Sequence, residues 1–214
     1  MCKRAVLFDL DGTLTDSSEG ITKCAALALN HFGIAVNSLD ELRVFVGPPL
    51  RDTFVEFGIA PSDVEEAITI FRSRYNTVGK FENTPYSGIH SLLETLQQDG
   101  CRLFVATSKP ETTAIEILNK FELSQYYEEI CGATMDISRE TKDAVIAYLL
   151  NKIDCVEKAV MVGDTAFDVR GAAAHCIPTI GVSWGFGSTA SMQEAGAIAI
   201  ADTPDQLLQL LQEG

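Results

Sequence analysis

The sequence predicts an α/β fold, a parallel sheet covered by helices on both faces, with a helical domain inserted after the first strand. Three observations carry this. Short apolar runs recur at Ala5–Phe8, Leu103–Ala106, Ala159–Val162, Thr179–Val182 and Ala197–Ile200. They lack polar alternation, as strands buried on both faces do. Segments with apolar residues at helical spacing separate most of them, and alternating strand and helix implies parallel pairing.

Taken in order, Ala5–Phe8 is the first strand, and it runs straight into Asp9-Leu-Asp-Gly-Thr13. From Asp16 to about Lys80 the pattern reads as helices without strands, and Asp16…Glu19, Ser38…Glu41 and Ser62…Glu65 each look like a helix N-terminus with an acid three residues on. Such a stretch is too long for an ordinary connection, so 16–80 is expected to be a helical cap, with 1–15 and 81–214 forming the core. Asn83–Gly88 returns the chain to that core. Helices follow at Gly88–Gln98, Thr112–Phe121, Thr141–Leu150, Ala166–Ala174 and Asp205–Leu211. The first of these carries Ile89, Leu92, Leu93 and Leu96 on one face.

Composition narrows the function. The chain has 214 residues, 46% hydrophobic and 21% charged, enough to bury a core. A formal net charge of −14, with the acids dispersed, makes nucleic-acid polymers and anionic membranes poor partners. No apolar run approaches the ~20 residues of a membrane span, and Lys3-Arg4 precedes too few apolar residues for a signal peptide. Six cysteines, at 2, 24, 101, 131, 155 and 176, show no CxxC spacing. Cys101, in an apolar stretch, reads as a core thiol. The expected setting is a reducing cytoplasm.

The chemistry gathers at strand ends, where ligands bind in folds of this kind. Asp9 and Asp11 are spaced i, i+2 and so point to one side of an extended chain. Two acids side by side repel unless a proton or cation relieves them, and a hard divalent ion such as Mg²⁺ suits oxygen ligands. A solvated turn built on Asp11-Gly12 is the plainer alternative. Thr107, Ser108 and Lys109 follow the second run, where a hydroxyl and free N–H groups at a helix start suit a phosphate oxygen; a simple cap is the alternative. Gly163-Asp-Thr-Ala-Phe-Asp168 follows the third run. Gly163 would let the backbone approach a ligand, and Asp164 and Asp168 share a face if the turn is helical. Helix capping accounts for Asp164 more easily than for Asp168. Lys142, at a helix start, opposes the macrodipole, which a nearby anion would explain.

As a set, Asp9–Thr13, Thr107, Lys142 and Gly163–Asp168 resemble the haloacid dehalogenase superfamily, in order and spacing, over essentially the whole chain. Phe8–Thr13, Val46–Leu50, Thr84–Gly88 and Gly181–Gly185 are similar to its phosphoglycolate phosphatase-like and 5′-nucleotidase-like branch. The resemblance implies a Rossmann-like core with a helical cap and a Mg²⁺-dependent phosphatase acting on a small phosphorylated metabolite, as monomer or homodimer. It implies Asp9 as nucleophile and Asp11 as general acid and base. Mg²⁺ is then held by the Asp9 side chain, the Asp11 carbonyl and Asp164, with Asp168 orienting that shell. Thr107, the Ser108 N–H and Lys142 are left for the phosphoryl group.

Rivals remain. A dehalogenase of this fold lacks the second acid, so Asp11 argues against it. A sugar phosphomutase of the superfamily carries a cap-side His shortly after the first motif, where this chain has Glu19-Gly20-Ile21. A phospho-accepting receiver is much shorter and places its acceptor after a later strand, and an idle binding protein of this fold would have lost a core residue. In the cap, Arg51 could grip a substrate carboxylate or second phosphate, or be a solvated helix residue. Lys80 is equally open. Phe45, Phe54 and Phe57 read as cap packing, and His31, His90 and His175 as structural or surface residues. Phosphoglycolate, nucleoside monophosphates and small sugar phosphates all remain open as substrates.

Overall fold

The structure, a computed structural model, describes residues 4–136, 138–154 and 158–213; Cys2, Lys3 and Cys155 lie outside them. The described residues form two compact units, 4–15 with 85–213, and Asp16–Thr84.

The first unit is a six-stranded sheet with helices on both faces. Its strands are β1 (Ala5–Phe8), β4 (Arg102–Pro110), β5 (Glu129–Ala133), β6 (Ala159–Gly163), β7 (Thr179–Val182) and β8 (Ala199–Ala201), in the order β5-β4-β1-β6-β7-β8. Every pairing is parallel. β1 is central, with Ala5 opposite both Arg102 and Ala159. Two short strands, β2 (Thr15–Asp16) and β3 (Thr84–Pro85), pair where the chain leaves this unit and returns to it.

The missing polar alternation follows from the two faces. Val6, Phe8, Val105, Val162 and Ile180 pack with α4 (Ile89–Gln98), α5 (Glu111–Lys120) and α9 (Pro204–Glu213). Ala5, Leu7, Phe104, Ala106 and Met161 pack on the other side with α6 (Lys142–Lys152) and α7 (Ala166–Ala173). Odd and even residues of β1 thus enter different cores, and all four are fully buried. Ile89, Leu92, Leu93 and Leu96 of α4 are buried as one stripe, each contributing ~1.5–3 kcal/mol relative to exposure.

β5 and α8 (Thr189–Glu194) have no counterpart in the sequence reading. β5 reads EICGA, with one isoleucine and a half-exposed start, because it is an edge strand. The residues after Ala106 also differ from expectation. Thr107–Pro110 continues β4 with a register shift, and α5 starts only at Glu111.

The second unit holds α1 (Ser18–His31), a 3₁₀ turn Leu39–Phe45, α2 (Leu50–Glu56), α3 (Val64–Tyr75) and a 3₁₀ turn Gly79–Phe81. The Ser38…Glu41 capping box forms, but it starts the 3₁₀ turn rather than an α-helix. The other two starts shift by one residue, to Ser17 for α1 and Asp63 for α3. Asp16 still contributes, accepting the Ser18 N–H at 2.9 Å. Phe45 lies 4.9 Å from Phe54 and 5.0 Å from Phe57, ring to ring, so these aromatics pack this unit's own core. Glu82 ties its end, accepting from Arg74 at 2.6 Å and Lys23 at 2.9 Å.

Candidate active site

The loop leaving β1 is wound around one carbonyl. Leu10 O accepts from the N–H groups of Thr13, Leu14 and Thr15, and Gly12 N donates to Thr15 O at 2.8 Å. Gly12 sits at φ 82°, where a side chain is strained, and a Cβ there would collide with the Asp164 carboxylate. Asp9 is therefore held at the end of a fully buried strand, its N–H donating to Val162 O at 2.9 Å.

Three acids converge there. Asp9, Asp164 and Asp168 each offer a carboxylate oxygen within 4.8 Å of the others, and all three are buried. Lys142, the first residue of α6, reaches Asp9 Oδ1 at 2.7 Å, Asp168 Oδ1 at 2.8 Å and Ala106 O at 2.9 Å. The anions that its position called for are thus two of the acids.

Capping falls to Asp168 of α7 rather than to Asp164 before it. Thr165 is the N-cap and Asp168 its capping-box partner, the Asp168 Oδ2 accepting from the N–H and hydroxyl of Thr165 at 3.0 and 2.8 Å. Asp164 instead accepts the Phe186 N–H at 2.8 Å and faces the Thr13 hydroxyl at 3.5 Å. Gly163 makes its close approach to Asp168 itself, where a Cβ would collide with that side chain.

The electrostatics are those of crowded acids. Burial pushes the Asp9 carboxyl up to about 6 although Lys142 pulls it down, with Asp168 and Asp11 adding to the rise. Burial also raises Asp164 well above the ordinary range, reinforced by Asp168 and Asp9. Burial alone would lower Lys142, but the charges of Asp168 and Asp9 prevail and raise it. Three carboxylates against one ammonium leave two excess negative charges when all are ionised. Hard oxygen donors with excess negative charge fit a small divalent cation.

Asp11 stands apart from that triad. Its Oδ2 pairs with Lys109 Nζ, and its buried Oδ1 has no hydrogen-bond partner among the described residues. Thr107 is buried, with its hydroxyl accepting the Lys109 N–H at 3.2 Å, while Ser108 is exposed. They lie on a bulged strand rather than at the helix start expected of them. Arg51 belongs to the helical unit, where its guanidinium pairs with Glu65 of α3, and Lys80 Nζ lies 5.1 Å from the centre of the Phe81 ring. Two site contacts went unread in the sequence, the ion pair of Lys109 and the Trp184 indole N–H donating to Thr13 O at 3.1 Å. The run Thr-Ser-Lys-Pro signalled a lysine near the site, but nothing in it showed that the side chain is buried.

Residues 6–182 match the family model described as haloacid dehalogenase-like hydrolase. The chain is 43% identical over 209 residues to the tyrosine-protein kinase PtkA of Mycobacterium tuberculosis, covering 96% of this chain and 72% of that protein. It is 40% identical over 185 residues to a 5′-nucleotidase of Pseudomonas aeruginosa, covering 86% and 84%. Among solved structures, a predicted phosphatase from Clostridium acetobutylicum superposes with a TM-score of 0.92 at 41% identity, over 100% of both chains.

Proposed function

We propose, given that this chain belongs to the haloacid dehalogenase-like hydrolase family, that it is a Mg²⁺-dependent phosphatase working through a phosphorylated Asp9. The observation that supports this best is the placement of Asp9 at the end of the central strand, with Lys142 on one of its oxygens and Asp164 and Asp168 beside it.

In the first half-reaction an Asp9 oxygen bonds to phosphorus, and the bond to the leaving oxygen breaks with its electron pair on that oxygen. Asp11 gives that oxygen a proton. In the second, water attacks phosphorus, Asp11 takes its proton, and the Asp9–phosphorus bond breaks to release phosphate. Asp9, the Asp11 carbonyl and Asp164 would hold Mg²⁺, with Asp168 orienting that shell. The ion would supply charge neutralisation for the phosphoryl oxygens. Lys142, Thr107 and the Ser108 N–H would bind the transferring group, which relies mainly on positioning and charge.

The substrate class proposed is a small phosphate monoester, a nucleoside 5′-monophosphate or phosphoglycolate, with the helical unit choosing the leaving group and Arg51 gripping a second anion. The 40% identical 5′-nucleotidase supports the first. A sugar phosphomutase is the alternative, and phosphate release without isomerised product separates it. Transfer to tyrosine, as in the name of the mycobacterial relative, would place a phenol where water attacks. Phosphate release with no protein acceptor present separates that reading. The free thiols of Cys24, Cys101, Cys131 and Cys176 suit a cytoplasmic setting.

Release of inorganic phosphate from p-nitrophenyl phosphate, a nucleoside monophosphate and phosphoglycolate tests the assignment. EDTA is expected to abolish it, Mg²⁺ to restore it, and Asp9→Asn to remove it in a protein that still folds. Full activity after rigorous chelation would sink the metal, and turnover by Asp9→Asn would mean that another group attacks phosphorus.

A further inference from the structure

Lys109 has no part in the reaction just described, yet it is one of the few charged groups buried beside it. Its side chain is 6% exposed, and its ammonium pairs with Asp11 Oδ2. Burying an ammonium costs several kcal/mol unless a partner compensates, so its position needs a reason. We propose that Lys109 is the positioning residue for Asp11, fixing one carboxylate oxygen so that the other is free to give and take the proton. The proposal rests on the reading of Asp11 as acid and base.

The two oxygens of Asp11 are already distinguished. Oδ2 is taken by Lys109, while Oδ1 is buried and has no hydrogen-bond partner among the described residues. A carboxyl that hands over a proton needs one oxygen for that purpose and a fixed rotamer to present it. An ammonium on the other oxygen provides the rotamer.

The backbone builds this arrangement separately from the ion pair. β4 shifts register against β5 between Thr107 and Pro110, and the bulge carries Lys109. Gly132 of β5 lies so close that a Cβ there would collide with the Lys109 carbonyl. The same glycine is clamped, its N–H donating to Glu111 at 3.2 Å and its carbonyl accepting from Arg139 at 2.7 Å. Arg139 and Glu111 close the clamp at 2.7 Å.

The test uses the full chain with Mg²⁺ and a series of phosphate esters, from p-nitrophenyl phosphate to simple alkyl phosphates. Only poor leaving groups need the proton, and kcat/KM reports the steps up to leaving-group departure. Lys109→Met keeps the stem and removes the charge. It is expected to lower kcat/KM on alkyl phosphates by roughly ten-fold or more, the low end of what acid–base catalysis supplies. On p-nitrophenyl phosphate kcat/KM and KM should stay within about two-fold, since no proton is needed there. Asp11→Asn should show the same steep dependence on leaving group. Gly132→Ala, which keeps the lysine and displaces its backbone, gives a second reading should Lys109→Met fold poorly, and it too should steepen the dependence. If Asp11→Asn is steep while the folded variants at 109 and 132 lose equally on every ester, or lose nothing, the positioning role is overturned and the reading of Asp11 survives. If Asp11→Asn itself shows no leaving-group dependence, both fall.

Discussion

Lys142 Nζ stands 2.7 Å from Asp9 Oδ1, although the two residues are 133 apart in the chain. The contact joins the start of a helix to the end of the central strand, and the same ammonium reaches Asp168. One lysine therefore balances two buried acids.

Removing it should expose that balance. Lys142→Met is expected to destabilise the fold by ~3–5 kcal/mol at neutral pH, the scale of breaking a buried pair and leaving its partners charged. Without the lysine, the Asp9 pKa in the folded protein rises further above its unfolded value. A raised acid contributes stability that is present below the unfolded pKa and lost as pH rises through the folded one. The deficit should thus be smaller at pH 5 than at pH 8, as read by denaturant melts at both. An equal deficit at both pH values would remove the charge argument.

Mg²⁺ should raise the melting temperature, and more so at pH 7.5 than at pH 5. Burial holds Asp9 at about 6, so near pH 5 a cation must displace its proton. At pH 7.5 that acid is ionised and a cation relieves repulsion outright. Asp164→Ala should abolish most of the shift. A metal-induced shift that ignores pH, or survives Asp164→Ala, would place the ion elsewhere.

Glu82 gives the helical unit an acid-labile tie. Hydrogen bonds from Arg74, and then from Lys23, hold its carboxyl down at about 2. A lowered acid contributes stability above its unfolded pKa, near 4.5, that is lost as pH falls through about 2. Its side chain is 19% exposed, so solvent screening trims the effect. Glu82→Gln should cost about 1–2 kcal/mol at pH 7 and almost nothing at pH 2. A difference that persists into acid would point to lost shape rather than lost charge.

Arg51→Ala separates substrate choice from structure. Its pair with Glu65 is exposed on both sides, so stability should change by less than ~1 kcal/mol. Hydrolysis of a substrate with a second anion should fall roughly ten-fold or more, the scale of a charge-assisted contact. p-Nitrophenyl phosphate should be hardly affected. Equal losses on both substrates would leave Arg51 no part in recognition.

Much of the core was legible because its signals are local. Val6 and Phe8 interleave with Ala5 and Leu7 in an unbroken apolar run, and only a strand covered on both faces tolerates that. Asp9–Thr13 alone was equally readable as a solvated turn, and only the acids, threonine and lysine at later strand ends pointed it toward chemistry. β5 was not, since an edge strand needs little apolar surface. The division of labour between Asp164 and Asp168 was hidden too. It depends on the Phe186 N–H, which arrives from 22 residues downstream. The sequence placed Lys109 near the site with Thr107 and Ser108, but its burial against Asp11 depends on the bulge beside Gly132 and could not be read there.

The strand order has a consequence for synthesis. β1 precedes the others in the chain but sits in the middle of the sheet, between β4 and β6. On the ribosome its apolar residues emerge long before either neighbour exists, and β6 ends only at Gly163. Until β4 is made the nascent chain carries an unpaired hydrophobic strand, and until β6 is made one edge of that strand stays open, the kind of segment that aggregates or recruits chaperones. The helical unit, contiguous from Asp16 to Thr84, can complete its own contacts in that interval. Release of the chain before β6 has cleared the exit tunnel should therefore yield a folded helical unit on an insoluble stem.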